Sequence, residues 1–181
     1  MSNYLVVGQE AMGYPYVEEM SADSLGELIY PLNVMSNNWG ADVSRLQYQP
    51  MAVIDTANDK AYNFKTSETP IPHPDYDSER YAYVYDEEFD IANFILVRRP
   101  DYKNDAGDGD NREYNKTVVN LDDSDFDAAT ASVTTVNAVS RAEPMFLYRK
   151  QDNEIRRLEY TDSDGWGLTT TVHKLHTSSV V

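Results

Sequence analysis

The chain has 181 residues, 41% of them hydrophobic, with 31 acidic against 15 basic side chains, a net charge of −16 and no cysteine. That is room for one domain with a sizeable core. It excludes disulfide frameworks, cysteine nucleophiles and thiolate metal sites, and it opposes a phosphate-backbone partner, which needs a concentrated basic face.

Fourteen tyrosines against five phenylalanines suit half-exposed sheets and interfaces, where the ring packs and the hydroxyl meets water or a partner. Met1 to Glu10 has no basic start and no sustained apolar core, so it does not read as a signal peptide. No run approaches the roughly eighteen apolar residues that span a bilayer. The expectation is a soluble product made in the host cytoplasm, without membrane association.

In chain order, Tyr4 to Val7 reads as a short strand closed by Gly8. Leu25, Leu28 and Ile29 then give an i, i+3, i+4 stripe, predicting one short helix capped by Ser21 or Asp23 and stopped by Pro31. Met51 to Asp55 and Lys60 to Phe64 predict a hairpin around Ala57-Asn58-Asp59. Residues 66–80 hold Pro70, Pro72 and Pro74, which remove ladder donors and predict an extended arm. Tyr81, Tyr83 and Tyr85 alternate along a strand, and Ile91 to Val97 is apolar enough for a buried one.

Residues 101–116 form a polar, acidic loop, and Thr117 to Leu121 is a short strand. Asp125 is placed to cap a helical turn. Val133, Val136 and Val139 recur every three residues, and the threonines between them predict strand. Pro144 to His176 reads as a three-stranded meander, turning at Gln151-Asp152-Asn153 and at Asp162-Ser163-Asp164-Gly165. Its first hairpin runs in step with the earlier one: Met51 with Met145, Val53 with Leu147, Phe64 with Leu158. Repeat architectures need about three units to bury a continuous core, so the likeness reads as convergent hairpin chemistry. The fold expected is a single mainly-β domain over residues 1–181, an antiparallel sandwich or barrel-like fold with one short helix and long arms.

No catalytic motif stands out. His173 and His176, three apart on a strand, point to opposite faces, His73 lies between prolines, and no Gly-x-Ser-x-Gly is present. With 31 acids, some carboxylate pair must lie at glycosidase distance, so their abundance points nowhere. Asp105, Asp108 and Asp110 flank two glycines and offer hard oxygen ligands for calcium, without EF-hand spacing. No other cofactor is expected.

The segment Tyr148 to Trp166 is similar to one blade of the fungal fucose-binding propeller lectins, in which an arginine, an acid and a tryptophan hold the sugar. The resemblance implies a glycan site at Arg156, Glu159 and Trp166. The other style of chain it resembles is a virion structural component of tailed phages, a capsid-decoration, neck or tail protein. Tyrosine-lined strands and a proline arm (Tyr81, Tyr83, Tyr85, Pro70, Pro72 and Pro74) are what a subunit uses to reach copies of itself and other structural subunits. A non-enzymatic self-assembling protein is therefore the leading expectation. A glycan-binding module comes second, and an acidic nucleic-acid mimic third.

Overall fold

The computed structural model describes residues 2–10, 15–35, 48–66, 69–72, 79–80, 83–99, 118–139, 143–161 and 165–174. They divide into two compact units, Met1–Glu88 and Phe89–Val181. The class is mainly β, and every strand pair with a resolved register is antiparallel.

In the first unit, β1 (Ser2–Glu10), β2 (Pro15–Ala22), β3 (Tyr48–Asp55), β4 (Lys60–Thr66) and β7 (Tyr83–Asp90) form a sheet in the order β2-β1-β3-β4-β7. A separate two-stranded ribbon joins β5 (Ile71–Pro72) to β6 (Glu79–Arg80). In the second unit, β8 (Phe94–Arg99), β9 (Val118–Leu121), β10 (Glu143–Arg149), β11 (Glu154–Thr161) and β12 (Gly165–Lys174) form a sheet in the order β9-β8-β10-β11-β12. The predicted meander is the β10-β11-β12 part of it. β7 runs on past Tyr85 through Asp86-Glu87-Glu88 to Asp90. Pairing with β4 holds it there: the Glu87 N–H donates to Asn63 Oδ1 at 2.8 Å, and Lys60 forms an ion pair with Glu88.

The first helix forms, with different ends. A 3-10 turn, Leu25–Leu28, runs into α1, Ile29–Met35. Ser24 is the capping residue, and the Glu27 carboxylate reaches back to the Asp23 N–H at 3.0 Å. Pro31 does not stop the helix, because it falls in the first turn of α1, where a missing N–H is tolerated. Leu28 and Leu32 are fully buried against Tyr4, Val6 and Val53.

A second helix, α2 (Phe126–Val139), stands where the valine-threonine run predicts strand. Asp125 caps it, accepting the Ala128 N–H at 2.8 Å. The Thr130 hydroxyl donates back to the Phe126 carbonyl at 2.7 Å, which satisfies it inside the helix. Phe126, Ala129 and Val133 are buried on one side against Phe94, Leu96, Leu147 and Leu158. Burial of that i, i+3, i+7 stripe outweighs the modest strand preference of threonine.

The two units are one pattern used twice. Each runs hairpin, helix, then three strands, and each places its strands in the same sheet order. The register agrees residue by residue. Tyr4, Val6 and Val7 lie opposite Asp55, Val53 and Ala52, and Phe94, Leu96 and Val97 lie opposite Arg149, Leu147 and Phe146. Both central pairs then skip one residue, Met51 or Met145, directly after a proline. Such a β-bulge accommodates Pro50 and Pro144, which cannot donate to a regular ladder.

Asp59 and Asn153, both at φ 54°, close the equivalent hairpins, a conformation that these two residue types tolerate. The polar detail repeats too. Asn3 accepts from the Ser21 hydroxyl at 2.6 Å, and Asn93 donates to Asp122 at 3.1 Å. The hairpin likeness seen in the sequence is therefore part of a whole-unit internal repeat, and the convergent reading is replaced. Two units suffice because each builds its own helix-covered core.

The central strands are buried on their other face as well: Leu5, Val7, Ile54 and Ala61 in the first unit, Ile95, Val97, Phe146, Tyr148 and Ile155 in the second. This is why they read as unbroken apolar runs rather than as alternation.

Candidate functional site

The densest polar arrangement among the described residues lies at the β10–β11 hairpin, against the first turn of α2. Arg149 and Glu154 face each other across the last rung, and Leu147 faces Arg156 one step inward. Leu147 and Leu158 enter the core under α2, which leaves Arg149 and Arg156 at its rim.

The Phe126 ring receives both guanidiniums, Arg156 at 4.0 Å and Arg149 at 4.5 Å from its centroid, and meets Phe94 edge-on at 5.0 Å. Each cation–ring contact at such a rim contributes on the order of 0.5–1 kcal/mol. Glu154, 7% exposed, ties the pair together. It accepts from Arg156 Nε at 3.0 Å and from Arg149 Nη2 at 3.2 Å, so the buried carboxylate is matched by two cations. Arg149 also grips Asp152 through Nε at 2.9 Å and Nη2 at 2.6 Å, a two-point fork. Behind the turn, the Tyr148 hydroxyl donates to Asn153 Oδ1 at 2.6 Å and Lys150 Nζ to the Ile91 carbonyl at 3.0 Å.

No protein-family model, no curated protein and no solved structure matches this chain. Its chemistry has to be read from its own residues.

The hydrogen bond from Arg149 holds the Asp152 carboxyl below the usual carboxylate range. A lowered folded value means that the contribution is present above the unfolded value and lost as pH falls through the folded one. Asp152→Asn is therefore expected to lower the melting midpoint at pH 7, with the gap to wild type closing below about pH 4. A gap that stays constant across that titration would contradict the assignment. The side chain is 44% exposed, so the effect is small.

The residues singled out from the sequence fare unequally. Arg156 belongs to this cluster. Glu159 follows Leu158 on β11 and so projects to the opposite face, where it is exposed and lies 3.7 Å from Arg157. Arg156 and Glu159 thus do not share a face. The Trp166 backbone pairs with Tyr160, and its side chain lies outside the described residues.

Tyr85 is committed to its own unit. Its ring packs on Tyr62 at 5.5 Å and Phe64 at 5.2 Å, and its hydroxyl donates to the Leu25 carbonyl at 2.8 Å. Burial pushes that phenol well above the ordinary tyrosine range. Tyr83 begins β7, its side chain outside the described residues, as is the whole of Tyr81. Pro70 and Pro72 are exposed, and Pro74 lies outside the described residues. The acidic loop with Asp105, Asp108 and Asp110 lies outside them too. Among the described residues no three His, Asp or Glu side chains are placed to hold a metal ion, and no helix is long and apolar enough to cross a membrane.

Sequence reasoning misses Phe126, Arg149 and Glu154. A signal for two of them is present: an arginine five residues before a glutamate, across a turn that pairs them, with a second arginine at i+2 on the same face. Phe126 comes from a different stretch of chain, and no local pattern links it to the hairpin.

Proposed function

We propose that this chain is a non-enzymatic structural subunit that assembles with copies of itself and with other structural subunits, as a component of a virion of the tailed-phage type. The observation that carries the reading is the β5–β6 ribbon. It has two residues in each strand, belongs to neither five-stranded sheet, and leads in through exposed Thr69 and Pro70 to exposed Pro72. A ribbon of this size is marginal in water by itself, and a neighbouring subunit would give it a surface to rest on. Proline lowers the entropy that an arm loses on docking, which favours contact over free motion.

Light scattering on the purified protein tests the reading. Masses at multiples of 20.6 kDa are expected, falling to one subunit when residues 69–80 are replaced by a glycine-serine linker. A single-subunit mass for the intact protein at every concentration would overturn it.

A further inference from the structure

The internal repeat supplies a comparison for the arginine cluster. Leu25, Leu28 and Leu32 of the first unit hold the places of Phe126, Ala129 and Val133 in the second, and Val53 holds that of Leu147. At the rim of the helix the two units part. Tyr62 and Gly26 of the first unit stand where the second has Arg156 and Asp127. The first unit closes this corner with the Tyr62 and Tyr85 rings, so the fold itself does not require charge there. In the second unit two residues of opposite sign enter together, one resting on the Phe126 ring and the other next to Phe126 in the chain.

Both charges are open. Phe126 holds the plane of Arg156 and Glu154 holds its Nε, while the two Nη groups have no acceptor among the described residues and the side chain is 31% exposed. A fixed planar fork of this kind matches a carboxylate by two parallel hydrogen bonds. Asp127 is exposed in the first turn of α2 and forms no hydrogen bond or ion pair among the described residues. The helix dipole favours an acid at that place and leaves its oxygens available. Between two copies of a chain with a net charge of −16 most approaches are repulsive. A corner that carries an open cation beside an open carboxylate is an exception, because it is complementary to itself.

We infer that this corner is a two-fold contact between copies of the chain, in which Arg156 of each molecule receives the partner's Asp127. The reciprocal arrangement follows from the two groups sharing one corner: turning a second copy about an axis between them sets each charge against its opposite. The inference rests on the self-assembly reading. Exposed ion pairs contribute modestly, so the contact adds to the docking of the β5–β6 ribbon and does not replace it.

The test is the self-association of the full chain by sedimentation velocity, at low salt and in roughly 0.5 M NaCl, where exposed charge pairs are screened. Wild type is expected to associate more weakly at high salt. Arg156→Asp and Asp127→Arg each set like charges against one another, and each should weaken association at low salt at least about tenfold. Circular dichroism checks that both variants stay folded. An equimolar mixture of the two places opposite charges at both pairs and should associate as strongly as wild type, a recovery that a merely damaged chain would not show. Should Arg156→Asp unfold, Asp127→Arg decides alone, since it changes only an exposed side chain. Association of Asp127→Arg equal to wild type, or a mixture of folded variants no stronger than its components, would overturn the contact and leave self-assembly standing. A wild-type protein that stays single at every concentration and salt would overturn both.

Discussion

Phe94→Ala is expected to destabilise the second unit by about 3–5 kcal/mol, the range for emptying a phenylalanine site in a well-packed core. Phe94 is 1% exposed, meets the Phe126 ring at 5.0 Å, and packs in the cluster that also holds Leu96, Leu121 and Leu147. The cavity would open directly beneath the start of α2. Phe126 would then lose its edge contact, and the two guanidiniums resting on it would lose their support. Urea unfolding followed by circular dichroism reads the loss. A shift below about 1 kcal/mol would mean that the site collapses without penalty and that the packing described for this cluster is wrong. Tyr4→Ala, the equivalent change in the first unit, should fall in the same class, because Tyr4 is 4% exposed and sits opposite Asp55 as Phe94 sits opposite Arg149.

Asp55→Ala is expected to lower stability by about 2–3 kcal/mol. Asp55 is 4% exposed, and its carboxylate organises the turn between β3 and β4. Oδ1 accepts the Ala57 N–H at 3.1 Å and the Asn58 N–H at 3.2 Å, and Oδ2 accepts Asn58 Nδ2 at 2.8 Å. Alanine would remove the acceptor that two turn N–H groups and the Asn58 side chain share, and with it the anchor of the turn to the buried end of β3. Asp55→Asn keeps an acceptor oxygen and should recover part of the loss. If alanine and asparagine proved equally mild in thermal melts, the turn would not depend on this side chain. The second unit solves the same turn differently, with Arg149 gripping Asp152 and Tyr148 bonding Asn153.

Much of the β framework is legible in the order of residues alone. Leu5 to Val7, Met51 to Ile54, Ile95 to Val97 and Met145 to Tyr148 are apolar without interruption because both faces of those strands are buried. Asp59 and Asn153 sit at the left-handed positions that their turns require. The matching of Met51 with Met145 and Phe64 with Leu158 is also visible, and its meaning is not. A bulge after a proline, a shared sheet order and a helix over the same face are properties of pairing between distant segments. Only those properties distinguish a repeated unit from two similar hairpins.

The candidate site is less legible. Arg156 stands out in the sequence, but for a partnership with Glu159 that strand alternation prevents. Its actual neighbours are Glu154, two residues away, and Phe126, thirty residues away. Tyr85 reads as an outward-facing ring, yet its hydroxyl finds the Leu25 carbonyl, sixty residues away, which no local pattern brings near.

By itself, then, the sequence determined the strand-forming runs, the hairpin turns, the acidic balance and the absence of any cysteine chemistry. Each of these depends on residue type, period or neighbours a few positions apart. Tertiary structure alone decided that residues 126–139 are a helix, since burial of Phe126, Ala129 and Val133 on a sheet supplies more free energy than threonine's local preference opposes. It also decided that β1 and β8 sit inside their sheets beside β3 and β10, and that Arg156 lies flat on Phe126. Those outcomes depend on which distant surfaces exclude water together, a property that no local window of the chain contains.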